Sequence, residues 1–131
     1  MAEVATSSTP SSKNKRALIT GASAGLGKEF ARQLANEGCD LILVARRKEK
    51  LEEHSATLSR EFGIDVSCFA ADLARPEAPE EIEKFVRENG LQVDYLINNA
   101  GSAGPSLLEE KSWRVQSEYL ELMMLSVTHL C

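Results

Sequence analysis

Leu41-Ile42-Leu43-Val44-Ala45 is an unbroken apolar run. A strand with one face in water alternates polar and apolar side chains, whereas a strand without alternation is covered on both faces and lies inside a sheet. Residues 40–44 are therefore expected to form a central strand. Three more short apolar segments, residues 16–20, 64–70 and 93–98, are separated by longer amphipathic stretches. Alternation of strand and helix along the chain is the pattern of a parallel sheet wrapped by helices.

The helices follow from apolar spacing and stop signals. The first is expected to begin near Gly25 and end at Gly38, with Phe30, Leu34 and Ala35 on its inner face. Residues 48–62 carry Leu51, Leu58 and Phe62 at helical spacing and end at Gly63, while Glu52, Glu53 and their neighbours read as a solvated face. Pro76 suits the first turn of a third helix, where its missing N–H costs nothing; Ile82, Phe85 and Val86 form its inner stripe, and Asn89-Gly90 ends it. After the fourth strand, a Gly- and Pro-containing loop through Ser106 leads to a last helix ending in the apolar residues 120–130.

At 131 residues, with 43% hydrophobic and 27% charged side chains, the chain suffices for one compact α/β domain. Its net charge of −5 argues against nucleic-acid and anionic-membrane partners, which favour a basic surface. No apolar run approaches the roughly 20 residues of a membrane helix. Cys39, Cys68 and Cys131 are dispersed and odd in number, so they indicate neither a metal site nor a disulfide framework, and they read as reduced thiols of a cytoplasmic protein. Residues 1–14 read as a disordered tail, with an organelle transit peptide as the alternative, and residues 15–131 as the single domain.

The first strand runs into Thr20-Gly21-Ala22-Ser23-Ala24-Gly25-Leu26-Gly27, a glycine-rich turn that opens directly into a helix. Such a turn brings backbone N–H groups and the positive end of a helix close to a pyrophosphate, and Ser23 adds a hydroxyl donor. An ordinary tight turn with a helix cap is the competing reading. The turn is followed by Asp72-Leu73 at the end of the third strand and Asn98-Asn99-Ala100-Gly101 at the end of the fourth. In this order, and at about this spacing, the three segments resemble the TGxxxGxG, DL and NNAG signatures of the classical short-chain dehydrogenase/reductase family. The resemblance covers residues 15 onward.

The resemblance implies a Rossmann-type doubly wound parallel sheet and NAD(P)(H) binding. By it, Gly21, Ser23, Gly25, Leu26 and Gly27 hold the pyrophosphate, Asp72 and Leu73 hold the adenine, and Asn99, Ala100 and Gly101 line the nicotinamide-side ribose, with Asn98 structural. Asp72 is also a natural helix-start cap. The end of the second strand, Val44-Ala45-Arg46-Arg47, has no acid to hold a ribose 2′-hydroxyl and two arginines where a 2′-phosphate would lie. NADP(H) is thus expected, with NAD(H) as the alternative; Lys48 and Lys50 leave open a solvated basic helix start. The implied activity is hydride transfer between nicotinamide and a small-molecule carbonyl or secondary alcohol.

The family's Tyr-x-x-x-Lys and serine are expected beyond Cys131, so the chain reads as a truncated, cofactor-binding half with no catalytic residue of its own. The family's asparagine falls at Met123, or in a second register at Ser126. Neither Tyr95, expected buried in strand four, nor Tyr119 fits the tyrosine motif, and His54 and His129 have no partner in sequence for acid–base work. Trp113, Met123 and Met124 are expected to pack; in the family this helix joins subunits, which implies a homo-oligomer. A non-catalytic nucleotide-binding or subunit-interaction module is the second reading.

Overall fold

The structure is a computed structural model that describes residues 14–102 and 112–131. The tail, apart from Asn14, and the loop from residue 103 to Ser106 lie outside the described residues. In chain order the elements are β1 (Arg16–Thr20), α1 (Gly25–Asn36), β2 (Asp40–Ala45), α2 (Lys48–Phe62), β3 (Val66–Ala70), α3 (Ala78–Glu88), β4 (Tyr95–Ile97) and α4 (Trp113–Leu120). A π-turn over Glu121–Leu125 continues α4 into α5 (Ser126–Leu130). The four strands are parallel in the order β3-β2-β1-β4.

Alternate residues of each strand feed two cores. Ala17, Ile19, Leu41 and Leu43 meet Ala31 and Ala35 of α1 and Leu51 and Leu58 of α2 on one face. Leu18, Ile42 and Val44 meet Ile82 and Phe85 of α3, with Leu122 and Leu130, on the other. All six residues of β2 are buried, as an unbroken apolar run in a doubly wound sheet requires. Its one charged residue, Asp40, accepts the Asp65 amide at 3.0 Å and faces Arg16 at 3.5 Å, so the buried carboxylate is paired. Gly38, Gly63 and Gly90, which follow the first three helices, all have positive φ.

Several expectations need correction. Phe30 is 41% exposed. The face of α1 that meets the sheet is Gly27, Ala31 and Ala35, spaced four apart, and Phe30 lies about 100° around the helix from Ala31. Small side chains on that face let the helix approach the strands closely. Pro79, not Pro76, occupies the first turn of α3; Pro76 belongs to the preceding turn, where the Ala78 amide bonds the Arg75 carbonyl. β3 starts at Val66 and β4 covers only Tyr95–Ile97, both shorter than their apolar segments. Tyr95 is 46% exposed because β4 pairs with β1 alone among the described strands. Trp113, Met123 and Met124, all expected to pack, are exposed and belong to neither core.

Candidate nucleotide site

The reversal of strand order between β1 and β4 opens a crevice at the carboxyl ends of the strands, the usual place for a ligand in a doubly wound sheet. A cleft of about 580 Å³ lies there. Its floor is the turn after β1. Gly21 has φ +66°, and a Cβ on it would stand 2.9 Å from both the Ala100 Cα and the Asn99 Nδ2. At Gly27 a Cβ would overlap the Gly21 carbonyl oxygen. Gly25, with φ +55°, faces open space, so its constraint is conformational. The Ala22 amide bonds the Val44 carbonyl at 3.2 Å and ties the turn to β2.

The start of α1 is left available to an anion. Ala24 offers no capping oxygen, and the first turn contains no acidic side chain. Its unpaired amides and positive helix end are therefore uncompensated by the helix's own residues.

Thr20 joins this turn to the end of β4. Its buried Oγ1 accepts the amides of Asn99 and Ala100, each at 3.0 Å. In return, Asn99 Nδ2 donates to the carbonyls of Thr20 at 3.2 Å and Gly21 at 3.3 Å. The structural bridge is thus made by Asn99. Asn98, expected in that role, has a buried Oδ1 without a hydrogen-bond partner and an Nδ2 that reaches Cys131 Sγ at 3.6 Å. Sequence reasoning gave Thr20 no task, because its partners lie 79 and 80 residues away.

Arg46 and Arg47 are exposed and line the cleft at the end of β2. The basic run divides there: Lys48 pairs instead with Glu52, one turn on, at 3.6 Å. Asp72 does not cap α3, which begins at Ala78 behind Glu77; its Oδ1 accepts the Ala74 amide at 3.0 Å in the turn after β3, and the residue lines the cleft. Leu73 is buried beside it and also lines the cleft.

Of the sequence candidates, the cleft gathers Gly21, Ser23, Gly25, Arg46, Arg47, Asp72, Leu73, Asn99, Ala100 and Gly101. Gly27 is buried beneath the turn, and Leu26 is 71% exposed outside the lining. The structure adds Val115, Tyr119 and Leu122. Their i, i+4, i+7 spacing was visible in the sequence, but it marks any amphipathic helix. Met123 sits against Gly101, its Sδ 3.3 Å from where a Cβ would stand. Ser126, the second register for the family's asparagine, donates to the Leu73 carbonyl at 2.7 Å, while Met123 is the one near Gly101.

Two buried groups stand outside the cleft. His54 is 8% exposed, not solvated, and its Nε2 has no hydrogen-bond partner. Burial, then the Lys28 charge, lowers its pKa from 6.5. Burial also raises the Cys39 and Cys68 thiols, which favours their protonated forms.

The cleft suits a nicotinamide dinucleotide, combining an open helix end, two exposed arginines and an apolar shelf beside a carboxylate. A family model described as short chain dehydrogenase matches residues 15–131. A fatty acyl-CoA reductase of Acinetobacter baylyi is 42% identical over 89 residues, covering 68% of this chain and 30% of that protein. A very-long-chain 3-oxoacyl-CoA reductase of Kluyveromyces lactis is 42% identical over 93 residues, covering 70% of this chain and 26% of that protein. L-sorbose reductase from Gluconobacter frateurii, solved with NADPH and L-sorbose, superposes with a TM-score of 0.82 at 34% identity, covering 89% of this chain and 44% of that one. The chain thus spans less than half the length of each of these relatives. With the glycine turn, the Asp72-Leu73 shelf and the Asn99–Gly101 run converging on one cleft, and the family match running from residue 15 to 131, the chain belongs to the short-chain dehydrogenase family.

Proposed function

We propose that this chain holds NADP(H) for an oxidoreductase of the short-chain dehydrogenase type acting on a carbonyl compound or secondary alcohol. The single observation that carries the cofactor preference is Arg46 and Arg47 on the cleft at the end of β2, with no acid there. A guanidinium pairs with a ribose 2′-phosphate, whereas an acid would repel it. The NADPH bound to L-sorbose reductase supports the same reading.

In this assignment Gly21, Ser23 and Gly25 bind the pyrophosphate at the start of α1, with Gly27 giving the close packing behind the turn and Leu26 flanking it. Asp72 and Leu73 receive the adenine, and Asn99, Ala100 and Gly101 receive the nicotinamide-side ribose. When bound, the cofactor supplies or accepts the hydride; the residues of this chain bind it and orient it. No side chain here is assigned to proton transfer, and methionine at position 123 offers only a weakly accepting thioether and no donor to hold a water.

The test is titration with NADPH and NADH by nicotinamide fluorescence, with Arg46→Ala alongside. NADPH is expected to bind the native chain more tightly. Arg46→Ala should lose about ten- to a hundredfold toward NADPH, the worth of a charge-assisted contact, and little toward NADH. Equal affinity for both nucleotides in the native chain would overturn the preference.

A further inference from the structure

Ser126 is fully buried, and its hydroxyl donates to the Leu73 carbonyl at 2.7 Å. That carbonyl belongs to the shelf of the cleft, where Asp72 Oδ1 holds the Ala74 amide and the Asp72 carbonyl holds the Arg75 amide, each at 3.0 Å. The same helical run lines the cleft with Val115, Tyr119 and Leu122. Ser126 follows Leu122 by four residues, so the run that supplies one apolar wall is bonded, one turn later, to the backbone of the other. A hydroxyl in a buried position is costly to desolvate, and here that cost is offset by one short bond at one place on the shelf.

We propose that Ser126 is a positioning residue for nucleotide binding: through the Leu73 carbonyl it fixes the Asp72–Leu73 shelf against the Val115–Tyr119–Leu122 face and so sets the slot that receives the adenine ring. This rests on the nucleotide reading given above. Ser126 bonds to the Leu73 carbonyl, whereas the pyrophosphate cradle is held by Thr20, Asn99 and the Ala22–Val44 bond. Its loss should therefore act on the base and not on the phosphates.

The experiment compares the native chain, Ser126→Ala and Thr128→Ala, each titrated with 2′,5′-ADP, which carries the base, and with inorganic pyrophosphate, which does not. Thr128→Ala removes an exposed hydroxyl bond to the Met124 carbonyl on the same helical run and serves as the control. Ser126→Ala is expected to weaken 2′,5′-ADP about tenfold, as when a buried carbonyl loses its donor, with pyrophosphate unchanged. Thr128→Ala should change neither. Equal losses for both probes, or no loss, would overturn the proposal. Should the alanine variant fail to fold, Ser126→Cys, near in size but a weaker donor, carries the same comparison.

Amide exchange separates this proposal from the reading beneath it. A native chain that binds neither probe would count against the nucleotide assignment. In either case Ser126→Ala should speed exchange at Ala74 and Arg75 and leave Asn99 and Ala100 protected; unaltered exchange at Ala74 would show that Ser126 does not hold the shelf.

Discussion

β2 and β4 flank β1 on opposite sides and pair with it in the same parallel sense, yet they are held in place by different means. Every residue of β2 is buried, whereas no residue of β4 is. The segment after β2 is placed by a closed hydrophobic layer on each face. The segment after β4 is placed by hydrogen bonds, with Thr20 and Asn99 exchanging contacts across the strand ends. Apolar burial thus fixes the arginine side of the cleft, and directional polar bonds fix the Asn99–Gly101 side. The first mechanism tolerates no lost volume, and the second tolerates no lost acceptor.

The difference can be broken most forcefully in the core. Leu43→Ala, at a fully buried position of β2, should cost about 2–5 kcal/mol in denaturant unfolding, and Leu96→Ala, at a half-buried position of β4, clearly less. Equal costs would mean that β4 is also held by burial. Next in size, Thr20→Val keeps the shape and removes the acceptor shared by two amides, at a cost of about 1–3 kcal/mol. Its signature would be faster exchange at Asn99 and Ala100 with β2 amides unaffected. A uniform loss of protection over the sheet would erase the distinction.

The smallest effect concerns His54, a buried residue of α2 that lies close to Lys28 of α1. Its folded-state pKa lies below 6.5, so the unfolded chain takes up the proton first as pH falls. Its contribution to stability is therefore complete above 6.5 and lost as pH falls through the lower folded value. Unfolding midpoints measured between about pH 5 and 8 should decline toward acid in the native chain and flatten in His54→Gln. The same slope in both would remove His54 as its source.

β1 and α2 were legible in the sequence to the residue, because a two-sided apolar run and a glycine stop each leave a local mark. Tyr95 was not, since exposure of a strand's first residue depends on which neighbours pair with it. His54 could have been read: it stands three residues after Leu51 and four before Leu58, on the buried stripe, but the surrounding glutamates and lysines suggested a solvated face. At the site, the glycine turn, Arg46, Arg47 and Asp72 announced themselves because each follows a strand directly. Thr20, Tyr119 and Ser126 did not, because their roles arise from partners far along the chain and from a helix whose pattern names no ligand.

The π-turn at Glu121–Leu125 has a consequence for insertions and deletions. A π-turn closes over one residue more than an α-turn, so this stretch stores a single surplus residue between Trp113–Leu120 and Ser126–Leu130. Elsewhere in a helix, deleting one residue swings everything beyond it by about 100°. Here the deletion is absorbed by a return to α-helical pitch, and the serine at its far end keeps its place over Leu73. Met124, exposed in that stretch, is the residue such a deletion can spare, since Met123 sits against Gly101.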